Sequence, residues 1–111
     1  MISILIVKSK QNIITVEATG HSGYAEQGSD IVCSAISTLM QNLANGLTEV
    51  VKAEAKVIVD EDIPHLSVTL TEKDVDKFKY AQMLMQTTVL SLKEVANGYS
   101  KFIKIKEKQN D

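Results

Sequence analysis

The chain has 111 residues, 44% hydrophobic and 23% charged, a composition that suits one compact domain and excludes a multidomain protein. Twelve basic against fourteen acidic residues give a formal net charge of -2, so we expect no direct nucleic-acid partner, which would favour a clustered basic excess. All the basic residues are lysines, and a phosphate-handling enzyme would be unusual without arginine. A single cysteine and the lack of a recognisable targeting or membrane-spanning segment predict a cytoplasmic protein with no membrane partner.

The chain opens with a predicted hairpin and a long loop. Ile2–Val7 and Asn12–Thr19 are rich in β-branched residues and flank a polar turn, which is typical of two paired strands. Residues 20–29 carry three glycines and no periodicity of either kind. This pattern predicts a long loop.

A helix and a second hairpin follow. Apolar residues recur at every fourth position from Ile31 to Leu47, and Ser29 or Asp30 can cap this predicted helix. Lys56–Val59 and Leu66–Leu70 then read as two strands, the second with alternating apolar and polar residues.

The last elements are a second helix and a final strand. Thr71 and Asp74 resemble a capping box, and an apolar face then runs from Val75 to Ala96 before the helix ends at a glycine. The residues from Tyr99 to Lys106 alternate again and predict a strand.

These elements predict an α+β fold in the order β-β-α-β-β-α-β. We expect one domain over residues 1–106, with a largely antiparallel sheet and two helices packed on one face. Residues 107–111 are predicted to fray as a polar tail.

Two residues near the first helix suggest a site for nucleophilic chemistry. His21 follows a predicted strand and Cys33 lies in the first turn of the helix. A helix N-terminus and a nearby imidazolium both favour the thiolate, so the pair is a candidate nucleophile and base. A buried, inert cysteine and a loop histidine bonded to the backbone are the alternatives. Asp30 could orient the imidazole, cap the helix, or do both.

Other chemistries fit the chain less well. The loop glycines match neither a nucleophile elbow nor a nucleotide-binding pattern. His21, Cys33 and His65 do not reach the spacing of a zinc site, and acidic residues 60–62 are more typical of a charged turn than of a calcium site. We expect His65 to be structural, and we expect no metal and no cofactor.

The loop and helix start resemble the ribosomal-processing cysteine protease family Prp, and the likeness extends over essentially the whole chain. The residues that carry it are Gly20-His21-Ser22-Gly23-Tyr24-Ala25 and Gly28-x-Asp30-Ile31-Val32-Cys33-Ser34-Ala35-Ile36-Ser37. Ser22 stands where the family more often has alanine. The resemblance implies that Cys33 is the nucleophile, that His21 is its base, and that Gly20–Ser29 is a flexible loop closing over the substrate. Possible supporting or substrate-loop residues are Gly20, Ser22, Gly23, Gly28, Asp30 and Ser37.

The resemblance also implies a role in ribosome assembly. It describes a cytoplasmic, homodimeric endopeptidase that removes the N-terminal extension of bacterial large-subunit ribosomal protein twenty-seven, cutting after an aromatic pair. We expect N–H groups at the start of the helix, including that of Cys33, to hold the oxyanion, and the helix Ile31–Val51 to form the dimer contact. Two alternatives stay open, namely a noncatalytic dimeric module that binds ribosomal protein or the ribosome, and another thiol enzyme such as an acyl transferase.

Overall fold

The computed structural model describes residues 1–26, 29–60 and 65–110. The described residues form five strands and two α-helices, and a π-helical turn continues the first helix. In chain order these are β1 (Ile2–Ser9), β2 (Asn12–Thr19), α1 (Ile31–Asn45), the π-helical turn (Gly46–Val50), β3 (Ala55–Asp60), β4 (His65–Leu70), α2 (Val75–Gly98) and β5 (Ile103–Gln109). Gly28 and most of the predicted acidic turn lie outside the described residues.

The strands form one sheet in the order β3-β4-β2-β1-β5. Only the pairing of β1 with β5 is parallel, and the other three pairings are antiparallel. The predicted element order and the largely antiparallel sheet are confirmed. None of the helices in the described ranges is long and apolar enough to cross a membrane.

The two long connections explain why both helices lie on one face of the sheet. Helix α1 connects β2 to β3, and α2 connects β4 to β5, so each helix joins two strands that run parallel but are not neighbours. Strands β2 and β4 run in opposite directions, and their connections lead to opposite edges of the sheet. Connections of the usual right-handed sense therefore place both helices on the same face.

The hydrophobic core fills the space between the sheet and the helices. Ile4 and Ile6 of β1 and Val16 of β2 are at most 1% exposed, since alternate strand residues point toward the helices. Gly46 lets the helices approach closely, because a Cβ atom there would lie 3.0 Å from Leu84 Cδ1. The helical side chains at most 1% exposed include Val32, Met40, Leu43, Leu47, Met85 and Leu92.

The start of α2 differs from the prediction. The cap is Asp74, whose side chain accepts the Lys77 N–H, whereas the Thr71 hydroxyl donates to Glu54. The helix therefore begins one turn later than a capping box at Thr71 would give. Val75, expected in the apolar face, is 81% exposed because it lies at the very end of the helix.

The last strand also differs from the prediction at both ends. It begins only at Ile103, because the preceding residues form a turn in which the Phe102 N–H donates to the Tyr99 carbonyl. It continues to Gln109, so the predicted fraying from residue 107 is wrong for residues 107–109. Glu107 pairs with Ile6 in the sheet and forms ion pairs with lysines of β1 and α2.

One buried polar contact between α2 and β2 is not evident from periodicity. Gln82 is 6% exposed, and its Oε1 accepts the Ile13 N–H at 2.9 Å while its Nε2 donates to the Ile13 carbonyl at 2.7 Å. Ile13 lies where the register between β1 and β2 shifts, between Val7 and Lys8. Gln82 therefore supplies both hydrogen-bond partners of a backbone segment at an irregular point of the sheet.

We expect Gln82→Met to lower the free energy of unfolding by about 2 to 4 kcal/mol. Methionine has a similar volume, but it leaves a buried N–H and a buried carbonyl without partners. Urea unfolding measures the difference, with Gln41→Met at an exposed position of α1 as the matched control, for which the change should stay below about 0.5 kcal/mol. Equal effects of the two substitutions would contradict this role of Gln82.

Candidate active site

A cleft of about 720 Å³ opens where β2 ends and α1 begins. Its position follows from the topology. Strands β2 and β3 run parallel, so they finish at the same end of the sheet, and α1 begins there. The cleft brings together six of the candidate site residues, namely Gly20, His21, Gly23, Asp30, Cys33 and Ser37. Ser22 is buried and does not line the cleft, and Gly28 is outside the described residues.

Cys33 is held at the start of α1 by the helix cap. Asp30 is the N-cap, and its Oδ1 accepts the N–H groups of Val32 and Cys33, each at 3.0 Å. The thiol itself is half-buried and lines the cleft. Within the described residues Asp30 makes no hydrogen bond to His21, so of the two roles considered for Asp30 the structure contains the capping one.

The second oxygen of Asp30 ties the loop to the helix. Its Oδ2 accepts the Ser22 hydroxyl and, at 3.4 Å, the Ala25 N–H. The pKa of Asp30 is lowered from 3.8 to about 2, above all by the hydrogen bond from the Ser22 hydroxyl. Hydrogen bonds from the N–H groups of Cys33, Ala25 and Val32 add to this effect, and together they outweigh the desolvation of the carboxylate. The carboxylate is thus favoured in the folded protein.

Ser22 contacts the sulfur directly. Its backbone N–H donates to Cys33 Sγ at 3.4 Å, and its hydroxyl accepts the Tyr24 N–H at 3.0 Å. The residue is only 3% exposed. Sequence reasoning included Ser22 merely as a possible loop residue, and no pattern in the sequence signals this contact.

His21 is exposed and lines the same cleft as Cys33. In the described part of the chain no hydrogen bond joins the two side chains. The preceding residue, Gly20, has a φ of +91°, and a Cβ atom there would lie 2.6 Å from the Met1 carbonyl oxygen. Glycine is therefore required at the point where the chain leaves β2 and turns toward His21.

An aromatic cluster fastens the middle of the loop to the far end of the chain. The Tyr24 ring makes edge-to-face contacts with Tyr99 and Phe102, at centroid distances of 5.7 Å and 5.3 Å. Tyr99 and Phe102 lie in the turn before β5. Sequence reasoning missed this cluster because nothing in the local pattern connects residues so far apart.

The oxyanion donors expected at the helix start are already engaged. The N–H groups of Val32 and Cys33 donate to Asp30 Oδ1, and the Ser34 N–H donates to the Asp30 carbonyl at 3.1 Å. The expectation that the Cys33 N–H holds an oxyanion does not fit this geometry, because the cap occupies it. Donor groups of side chains that line the cleft include those of Ser34, Ser37, Thr38 and Gln41 on α1.

A second histidine belongs to the cleft wall. His65 Nε2 lies 2.9 Å from Glu17 Oε1, so the ring is held by a neighbouring strand, in keeping with the structural role expected for it. Among residues 1–26, 29–60 and 65–110, no group of three or more His, Cys, Asp or Glu side chains could hold a metal ion.

Comparison with known proteins places this site in a family. Residues 1–104 match the family model described as Cysteine protease Prp. The ribosomal processing cysteine protease Prp of Bacillus subtilis is 25% identical over 96 residues, 86% of each chain. The crystal structure of SMU.848 from Streptococcus mutans superposes with a TM-score of 0.86, at 30% identity, over 99% of this chain and 96% of that one. The Staphylococcus aureus Prp structure with a covalently linked product peptide has the same fold, with a TM-score of 0.88 at 24% identity, over 97% of this chain and 100% of that one.

The cleft thiol and these matches define a cysteine protease. Within that class, the chain belongs to the Prp family, whose model covers nearly its whole length.

The lowered pKa of Asp30 predicts a loss of stability in acid. Because the folded protein favours the carboxylate, its contribution is present above the ordinary pKa of 3.8 and is lost as the pH falls toward about 2. We expect Asp30→Asn to have a lower Tm than the wild type at neutral pH and to lose less Tm in this acid window.

Thermal unfolding at a series of pH values measures this difference. Glu26→Gln, which alters an exposed carboxyl in the same loop, is the control and should reproduce the wild-type slope. An equally steep acid loss in Asp30→Asn would contradict the assignment.

Proposed function

We propose that this protein is a cytoplasmic endopeptidase that removes the N-terminal extension of large-subunit ribosomal protein twenty-seven, with Cys33 as nucleophile and His21 as base. The observation that carries the proposal is the placement of Cys33 Sγ at the start of a helix, in a cleft that His21 also lines. A relative named as a ribosomal processing protease and a related structure with a covalently linked product peptide support it.

The first half of the reaction forms a thioester. His21 takes the proton of the Cys33 thiol, the thiolate attacks the scissile carbonyl carbon, and the carbonyl electron pair moves to oxygen. Protonated His21 then donates its proton to the leaving amine as the C–N bond breaks. His21 lies on the exposed loop after Gly20 and lines the cleft together with Cys33, and the mechanism requires its imidazole to approach the sulfur.

The second half restores the enzyme. Water attacks the thioester with His21 as base, the C–S bond breaks, and the proton held by His21 returns to the sulfur as the carboxylic product leaves. No cofactor takes part in these steps. An acyl transferase would use the same thioester with an amine or alcohol in place of water, and its product would carry that group's mass.

The shape of the cleft suits a bulky apolar side chain next to the scissile bond. Ala18, Ile36, Met40 and Leu66 line it beside the polar groups around Cys33. A volume of about 720 Å³ is in the range of ligand sites that bury most of their occupant. An aromatic residue before the cut, as the family resemblance implies, fits such a lining.

Substitution of Cys33 tests the proposal. We expect Cys33→Ala and Cys33→Ser to abolish cleavage of the extended ribosomal protein, because each removes the thiolate, and His21→Ala to leave only weak cleavage at high pH. Product masses from the purified proteins report the cut, and urea unfolding checks that each variant is folded. Full cleavage by a folded Cys33→Ala protein would overturn the assignment, and uncut substrate that co-purifies with all forms would favour the noncatalytic module.

We further propose that the protein is a homodimer with its contact on the outer sides of the two helices. Most apolar side chains of α1 pack in the core of the monomer. The contact predicted over Ile31–Val51 can therefore involve only the side of the helix that faces away from the sheet. There α1 and α2 border a shallow groove of about 530 Å³, lined largely by apolar groups. Met83 and Leu90 of α2 are 62% and 64% exposed nearby, and a second copy would cover them.

We expect Leu90→Lys to shift the protein from dimer to monomer in analytical ultracentrifugation at micromolar concentration. The charge would enter an apolar contact, whereas the side chain is exposed in the monomer and its replacement should not unfold it. Val75→Lys, at the first residue of the same helix, is the control and should stay dimeric. A monomeric wild type would overturn the dimer.

A further inference from the structure

A buried chain of polar groups connects the helix cap to the sulfur. Asp30 Oδ2 accepts the Ser22 hydroxyl, and the backbone N–H of Ser22 donates to Cys33 Sγ at 3.4 Å. Both residues are nearly inaccessible, with Ser22 3% and Asp30 7% exposed. Water cannot readily replace these partners, so the orientation of the Ser22 peptide depends on the hydrogen bonds within the protein.

The hydroxyl of Ser22 both donates and accepts a hydrogen bond. It donates to Asp30 Oδ2 and accepts the Tyr24 N–H at 3.0 Å. The carboxylate is itself fixed by two N–H groups of the first turn of α1, and the Tyr24 ring packs on Tyr99 and Phe102. Ser22 is therefore held on both sides, by Asp30 through its hydroxyl and by the segment at Tyr24, and its own N–H, in the peptide after His21, is kept in place.

The Ser22 N–H is a fixed dipole directed at Cys33 Sγ. A hydrogen bond to the ionised form of a group stabilises that form, and bonds to charged groups are stronger than neutral ones. This contact comes from the backbone and does not involve His21, so it adds to whatever the imidazole contributes. The titratable side chains that line the cleft are His21, Asp30, Cys33 and His65, the last of which is held by Glu17.

We propose that Ser22 is a positioning residue, whose hydroxyl, anchored on Asp30, holds its own backbone N–H on Cys33 Sγ and so supports the reactivity of the sulfur. The inference rests on Cys33 being the nucleophile of the proposed function. An alanine at this position could make neither hydrogen bond of the hydroxyl.

The test measures thiol reactivity, which requires no peptide substrate. We expect Ser22→Ala to slow alkylation of Cys33 by iodoacetamide roughly 3- to 10-fold at neutral pH and to move the rate profile to higher pH. Ser22→Thr retains the hydroxyl and should restore most of the rate. Ser29→Ala is the same change in the same loop, at a hydroxyl that donates to the Glu26 carbonyl, and should alkylate as the wild type does.

A second measurement uses the unmodified protein and does not depend on how well a variant folds. The amide resonance of Ser22 should shift with pH in step with the alkylation profile, because its N–H bonds to Cys33 Sγ. The amide of Ser29 should not follow that profile. An alkylation profile unchanged in Ser22→Ala, or a Ser22 amide that does not respond, would overturn the proposal.

The outcomes separate this inference from the proposed function. A slower, shifted alkylation in Ser22→Ala with no cleavage of the ribosomal protein by the wild type would support the positioning role and contradict the substrate. If the wild type cleaves the ribosomal protein, and Cys33 is alkylated equally fast in the wild type and in Ser22→Ala, the protease is supported and the role of Ser22 is contradicted. A purely structural role would lower the Tm without moving the pH profile, and would also overturn it.

Discussion

The carboxylate of Asp30 is the group on which the site depends. One oxygen caps α1 through the N–H groups of Val32 and Cys33, and the other holds the loop through Ser22 and Ala25. A single side chain thus sets both the start of the helix that carries the thiol and the position of the loop that follows His21. Because the hydrogen bonds are made to a charged acceptor, each is stronger than a neutral bond, and their number keeps the carboxylate ionised.

The topology brings this carboxylate to the edge of the sheet where a cleft can form. The two connections place both helices on one face, and α1 begins beside the ends of β2 and β3. Gly20 turns the chain out of β2 at a point too close to the Met1 backbone for any side chain. The cleft is therefore the consequence of how α1 joins two nonadjacent strands, while the core beneath it is built by the alternate residues of the sheet.

Two kinds of group lie near the sulfur of Cys33. The start of α1 and the Ser22 N–H are fixed backbone groups beside it, whereas His21 lines the same cleft from an exposed position on the loop and, within the described residues, makes no hydrogen bond to Cys33. The N–H groups of Val32 and Cys33 are both occupied by the cap at Asp30.

The order of elements, the largely antiparallel sheet and the positions of a histidine in the loop and a cysteine at the start of the helix all follow from local signals, because hydrophobic period and turn residues act over short stretches of chain. The same signals misplaced the start of α2 and the bounds of β5, where a cap at Asp74 begins the helix and Glu107 forms ion pairs within the strand. The sequence by itself determined which elements form and which residues could react. Only the tertiary structure decided that Ser22 touches the sulfur and that Gln82 satisfies the backbone of β2, since both contacts join residues whose separation along the chain carries no periodic signal.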